Sequence, residues 1–292
     1  MANVKCEEDY HTHFDPKTFL EQYYKNFKGD ENEDGSVSPF IKALHEFWSS
    51  FKAPTDTEKT NVRYLEFGGG PSIMNLVFAC PKVDHIVFSE YTEANREAVK
   101  SWIAGDAEAH DWMPLIEIAV LELEQGRGIV DERSESETSA DKEKLDCVLN
   151  RADELKRKIK SIVPCDVNKA PIVQLDTDDV AKPFDVVSTG LCLESCVSSE
   201  VHYKNAVAEL CKLLKPNGCL FMNGVLGDTF YYVGEEKFSV FPLTEKLVKE
   251  AMNEAGMEIE KFVTISDIPL HYLEACGCKA LFYTYGRKSV EK

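Results

Sequence analysis

Residues 64–76 read YLEFGGGPSIMNL, an apolar run, three glycines and then a segment with helical spacing. A strand passing through a glycine-rich turn into a helix lets the backbone approach a ligand closely and turns free amides toward it. That predicts a nucleotide-type pocket at the carboxyl end of the first strand of an α/β sheet. Counted from Gly68, the dinucleotide fingerprint needs glycines at positions one, three and six, and the chain supplies Gly68, Gly70 and then Ile73. Pro71 stands where the helix should already be starting. A pyrophosphate needs the helix N-terminus pressed against it, so the loop argues against a nicotinamide dinucleotide, whereas a cofactor without phosphate tolerates the change.

Outward from the loop, VRYLEF, PSIMNLVFAC, HIVFSEY and TEANREAVKSWI alternate as strand, helix, strand and helix, the order of a parallel sheet covered by helices. PFDVVSTGL continues as a buried strand and SEVHYKNAVAELCKLL as a helix. CLFMNGVL is the next strand, behind the turn Lys-Pro-Asn-Gly at 215–218. TEKLVKEAMNEAG is a helix ended by Gly256, and MEIEKFVTI and CKALFYTYGRK form an antiparallel pair at one side of the sheet. Ahead of the loop, Asp15-Pro16 and Ser38-Pro39 each place an N-cap before a first-turn proline, predicting two amphipathic helices. Residues 124–144 are charged, serine-rich and poor in apolar groups, which predicts a mobile surface insertion. LDCVLNRADELKRKIKSI behind them has helical spacing, so the insertion is an excursion within one domain of 1–292, a cap of 1–60 on a core of 61–292.

The 292 residues are 43% hydrophobic, enough for a real core. A net charge of −18 repels polyanions and argues against nucleic acid as a partner. The start, MANVKCEEDYHTHF, has no apolar signal core and no stretch approaches a membrane span, so a soluble cytoplasmic protein is expected; a monomer is expected as well. The ten cysteines read as buried thiols. Neither Cys276-Gly-Cys278 nor Cys192 with Cys196 has a second pair at zinc spacing, and no metal is expected.

Glu90 ends the second strand, where a carboxylate accepts hydrogen bonds from both ribose hydroxyls. Asp166 ends the next, suited to an adenine amino group with Val167 against the ring face, although a solvated turn aspartate fits the same residues.

YHTHFDPKTFLEQYY, FGGGPSIMNL, SEYTEANREAVKSWI with EAHDW, PCDV, LCLESC, LLKPNG and FYYVGEEKF together resemble the nicotinamide, phenylethanolamine and thioether methyltransferases that use S-adenosylmethionine, over nearly the whole chain. The resemblance implies a Rossmann-like seven-stranded methyltransferase sheet, mostly parallel with an antiparallel C-terminal strand, helices on both faces and an N-terminal helical cap. It implies cofactor contacts from Tyr10, Phe19 and Tyr24 in the cap and from Gly68, Gly69, Gly70 and Ser72 in the loop. Glu90, Tyr91 and Asn95 would serve the ribose, and Asp166 and Val167 the adenine. Phe19, Met74 and Glu90 replace the family's usual tyrosine, tyrosine and aspartate, so Met74 removes a hydroxyl from the cofactor carboxylate.

Methyl transfer from a sulfonium needs an unprotonated nucleophile aligned in a pocket that excludes water. By the resemblance, Glu194 is the catalytic carboxylate beside the acceptor nitrogen, with Tyr24, Leu191 and Tyr231 as further acceptor contacts. One of Tyr231 and Tyr232 should face the acceptor and the other pack on the sheet. By the resemblance, the chain carries Gly224 and Gly227 where the nicotinamide and phenylethanolamine enzymes have carboxylates and lacks the latter's late loop carboxylate at Cys276 and Gly277, leaving Asp228 to take over. The expected reaction is N-methylation of nicotinamide, a related pyridine or an arylalkylamine. The alternatives are a noncatalytic S-adenosylmethionine-binding protein, or an enzyme for phenylethanolamine-type amines or thioethers.

Overall fold

The computed structural model describes residues 4–25, 27, 37–54, 61–126, 139–176, 179, 182–266, 277 and 279–290. Its centre is a seven-stranded sheet in the order β3-β2-β1-β4-β5-β9-β8. The strands are β1 (Arg63–Phe67), β2 (His85–Glu90), β3 (Ile159–Pro164), β4 (Phe184–Gly190), β5 (Leu214–Leu226), β8 (Met257–Ile265) and β9 (Ala280–Lys288). The first five run parallel, and β9 lies antiparallel between β5 and β8. A separate hairpin pairs β6 (Phe230–Val233) with β7 (Glu236–Ser239).

Alternation along each strand sends neighbouring side chains to opposite faces. Tyr64, Ile86, Val186 and Phe221 enter one core, with Leu44 and Phe47 of α3 (Pro39–Ser50) and Leu76 and Val77 of α4 (Met74–Ala79). Leu65, Val87, Val187 and Leu220 enter the other, against Val207 and Leu210 of the helix Glu200–Lys212 and Val248 and Ala251 of Glu245–Glu254. Helices therefore cover both faces, which is why these strands read as continuous apolar runs.

Local signals act where expected for α2 (Pro16–Tyr23), whose N-cap Asp15 accepts from the Thr18 amide at 2.9 Å. α5 (Glu93–Ala104) is capped by Thr92 and ends at Gly105, φ 77°. Ser38 precedes α3, but its side chain caps no amide.

Four segments differ from the sequence reading. α4 starts at Met74, because 71–73 finish the turn. α7 runs Ser139–Lys158, so 139–144 are helical, while 127–138 of the expected insertion lie outside the described residues. The run read as helical through Ile162 stops at Lys158; Ile159–Pro164 pairs with β2 instead, since a free sheet edge outweighs local helical spacing. The 215–218 turn is a bulge within β5, looped out between the pairs Phe184–Leu214 and Val186–Cys219, with Asn217 at φ 61°.

Beneath the glycine loop, the Glu66 carboxyl is buried and accepts from the Tyr64 and Ser188 hydroxyls and from Asn75 Nδ2 at 2.6 Å. Burial pushes its pKa up to about 7, against the lowering effect of those bonds. A carboxyl raised in the folded state contributes stability below its unfolded value, near 4.5, that is lost as pH rises through about 7. The loss is about 3 kcal/mol at 1.36 kcal/mol per pH unit. In Glu66→Gln the fall in unfolding temperature between pH 5 and pH 8 should shrink; an unchanged fall in calorimetry counts against this origin.

Candidate active site

The strand order reverses between β1 and β4, and the crevice at their carboxyl ends opens into a cavity of about 230 Å³. The glycine loop forms one wall, but not by offering free amides. Gly68 and Gly69 N–H donate to Ser89 O at 2.8 and 3.2 Å, and Gly70 N–H donates to Glu90 Oε2 at 3.0 Å. What the glycines supply is space: a Cβ on Gly68 would lie 2.0 Å from Cys192 Sγ, and one on Gly69 2.2 Å from the Phe88 ring. Gly68 and Gly70 also sit at φ 65° and 61°, where other residues are strained. Ser72 does not line the main cavity. It borders a smaller neighbouring cavity, and its Oγ accepts from the Met74 amide at 3.1 Å, so it starts α4.

Glu90 is buried at the end of β2. Its Oε1 accepts from the Thr92 amide and from Asn95 Nδ2, both at 2.9 Å. Arg96 donates to the carbonyls of Glu90 and Tyr91 at 2.7 and 2.8 Å and so fixes the strand end. Tyr91 packs against His11 with ring centroids 4.4 Å apart and the rings tilted by 41°. Asp166 and Val167 reach the same cavity after β3. The Asp166 carboxylate accepts from the Asn168 amide at 2.9 Å and lies 3.0 Å from Lys169 Nζ.

The N-terminal segment closes the front. Lys5 joins the edge of β7, with Lys5 N–H donating to Lys237 O at 2.7 Å. Glu7 accepts from Asn168 Nδ2 at 2.7 Å, and the Tyr10 and Tyr231 hydroxyls meet at 2.7 Å. Phe19 packs between Phe14 and Tyr24, with centroids at 5.0 and 5.7 Å. Tyr23 lines the cavity and donates to Tyr232 O at 2.7 Å. Of the hairpin tyrosines Tyr231 faces the cavity, whereas Tyr232 packs on Phe230.

At the far end the short helix Leu193–Cys196 carries Glu194, whose buried Oε1 accepts from the Val225 amide at 3.2 Å. Burial raises its pKa to about 7, backbone amides pull it down, and the nearby Asp228 charge pushes it up. Asp228 is also buried, accepting from the amides of Thr229 and Phe230 at 2.6 and 3.1 Å. Gly224 has no carboxylate to offer, but a Cβ there would stand 2.7 Å from Glu194 Oε1, so the glycine makes room for Glu194. Gly227, at φ 69°, lies under the Lys279 stem, Gly277 is near Asp228, and Cys276 and Cys278 lie outside the described residues. Leu191 adopts φ 51°, and it, with Phe40, Val225, Val240 and Leu281, gives this end an apolar lining. Phe40, Val240, Leu281 and Glu7 carry no local signal in sequence, because distant segments bring them here.

The arrangement fits a nucleoside with a polar arm. Asn95 Oδ1 is buried without a partner beside Glu90, as a ribose hydroxyl donor requires, and the glycine cradle excludes side chains next to it. The NNMT/PNMT/TEMT family model matches residues 2–288. Human (Homo sapiens) nicotinamide N-methyltransferase is 30% identical over 266 residues, 91% of this chain and 90% of that protein. Rabbit (Oryctolagus cuniculus) indolethylamine N-methyltransferase is 29% identical over 256 residues, 88% and 87%. A solved S-adenosylmethionine-dependent methyltransferase from Methanosarcina mazei, 11% identical, shares the fold with TM-score 0.50 over 88% of this chain and 100% of that one. The sheet, the cradle and these likenesses agree: the chain belongs to the NNMT/PNMT/TEMT family of S-adenosylmethionine-dependent N-methyltransferases.

Proposed function

We propose that the chain methylates the nitrogen of a small amine carried on an apolar body, of the arylalkylamine kind, with nicotinamide or a related pyridine as the second reading. The observation that supports the amine is a buried carboxyl with pKa about 7, Glu194, next to Asp228 at the base of an apolar-walled cavity. An ammonium gains from both carboxylates and can yield its proton to Glu194 before the nitrogen attacks. Phe40, Val225, Val240 and Leu281 present hydrocarbon, which suits an aryl or alkyl group better than a carboxamide. The pyridine reading rests on the likeness to the human nicotinamide enzyme and on chemistry: a neutral pyridine nitrogen has a free lone pair and needs no base.

S-adenosylmethionine supplies the methyl group when bound. In this reading Glu90 and Asn95 hold its ribose, Asp166 and Val167 its adenine, and Gly68, Gly69 and Gly70 leave room for its amino-acid arm. Tyr10, Phe19, Tyr24 and Tyr91 enclose it, with residues 1–60 as the cap that excludes water. Leu191 and Tyr231 align the acceptor. Tyr231 offers its ring face to developing positive charge. The chain is proposed to act as a monomer in the cytoplasm, consistent with its net charge of −18 and with the eight described cysteines being unpaired. Among the described residues no helix is long and apolar enough to cross a membrane.

The test is transfer from methyl-labelled S-adenosylmethionine to a panel of arylalkylamines, nicotinamide, pyridines and thioethers, with products identified by mass. Arylalkylamines should turn over with the highest kcat/KM. Preference for nicotinamide would establish the second reading, and preference for a thioether would remove both. Tight S-adenosylhomocysteine binding without turnover on any acceptor would mark a noncatalytic binding protein.

A further inference from the structure

Besides Asn95 Oδ1, a second buried polar atom beside the cofactor cavity has no partner. Asn223, on β5, is 5% exposed and its Nδ2 has no hydrogen-bond partner. It borders a second cavity of about 20 Å³, together with Glu66, Ser72, Met74, Asn75 and Gly190. That space adjoins the main cavity, since Tyr24, Gly69, Met74, Gly190 and Leu191 line both.

The other polar groups there are already engaged. Glu66 takes three donors, from Tyr64, Ser188 and Asn75, and Ser72 Oγ serves the Met74 amide. The carboxamide of Asn223 is held in place by its backbone, which pairs with Gly190 in the sheet register and accepts from Leu191 N–H at 3.0 Å. Gly190 gives it room: a Cβ there would fall 2.6 Å from Asn223 Oδ1. A buried amide donor with no partner costs stability, so its retention at the rim of a binding cavity points to a partner that arrives with the ligand.

We propose that Asn223 is a cofactor-binding residue whose Nδ2–H donates to the carboxylate at the amino-acid end of S-adenosylmethionine. Met74, which lines the same small cavity, offers that carboxylate no side-chain donor, and Asn223 supplies one from β5. The assignment rests on the family's cofactor, and the test separates the two by using a ligand that has the nucleoside but not the arm.

The experiment is calorimetric titration of the whole chain with S-adenosylhomocysteine and with 5′-methylthioadenosine, which lacks the amino-acid end. Asn223→Leu, close in volume and without the donor, should weaken S-adenosylhomocysteine about tenfold to a hundredfold, the worth of a hydrogen bond to a charged group, and leave 5′-methylthioadenosine unchanged. Its ligand-free unfolding temperature should not fall, because an unpaired buried donor has been removed. Gly190→Ala, which displaces the carboxamide while leaving Asn223 in the sequence, should give the same selective loss and carries the test if the leucine variant does not fold. Equal weakening of both ligands, or no weakening of either, overturns the proposal. Failure of the wild-type chain to bind either ligand would instead remove the cofactor reading.

Discussion

Glu194→Gln should lower kcat on an amine acceptor by about two to three orders of magnitude, the usual worth of a positioned proton acceptor, while S-adenosylhomocysteine affinity stays within about twofold. Glu194 lines the cavity beside Gly224 and Val225, and glutamine keeps the Oε1 acceptor that faces the Val225 amide. Burial has raised its pKa to about 7, so at pH 6 most molecules carry the neutral acid, which cannot receive a proton. Wild-type kcat should therefore climb about tenfold per pH unit below 7 and level off above it, and the glutamine variant should lose that bend. The sign for stability is opposite. Ionising a buried carboxyl whose pKa lies above its ordinary 4.5 costs folding free energy as pH rises through 7, so the pH range of best activity is one of lower stability. A pH–rate profile of both forms decides the matter: an identical bend in the variant would mean that another group, or the acceptor itself, sets it.

Gly68→Ala should weaken S-adenosylhomocysteine about a hundredfold, and Gly70→Ala about tenfold or less. Both glycines have positive φ, which costs an alanine roughly 1–2 kcal/mol. Only at Gly68 does the new methyl also meet protein, 2.0 Å from Cys192 Sγ, and forcing that side chain aside adds about 1–3 kcal/mol. Around Gly70 no atom of the described residues beyond its chain neighbours lies within 4 Å of the added carbon. The two substitutions thus separate backbone strain from crowding at adjacent points of one loop. Equal losses in calorimetry would show that crowding against Cys192 is not what the first glycine avoids.

The loop also shows how far sequence reasoning reaches. Its position between β1 and α4, the missing third glycine and the acidic end of β2 were legible, because strand pattern, turn chemistry and a strand-end carboxylate are local properties. The job of its amides was not. Ser89 O and Glu90 Oε2 take all three, and those partners come from a strand twenty residues on. Ile159–Ile162 reads as helix for a related reason, since its helical spacing is local and its pairing with β2 is not. In the candidate site, Glu194 and Tyr231 could be singled out by their place after a strand or within a motif. Val240, Leu281 and Asn223 could not, because their relevance depends on which segments the sheet brings side by side. Gly224 looked like a loss when read as a missing carboxylate, and its contact with Glu194 gives it a positive role.

The strand order carries a consequence for how the molecule is made. β9, the last strand in the described sequence, is inserted between β5 and β8, pairing with Cys219 to Leu226 on one side and with Met257 to Ile265 on the other. During vectorial synthesis β5 and β8 both emerge before the segment that joins them. Until then the backbone of β5, which runs past Asn223 and Gly224, has an open edge on that side, able to pair with another chain. Completion of the cavity wall, where Leu281 of β9 meets Val225 of β5, therefore waits until the last of these three strands has been made.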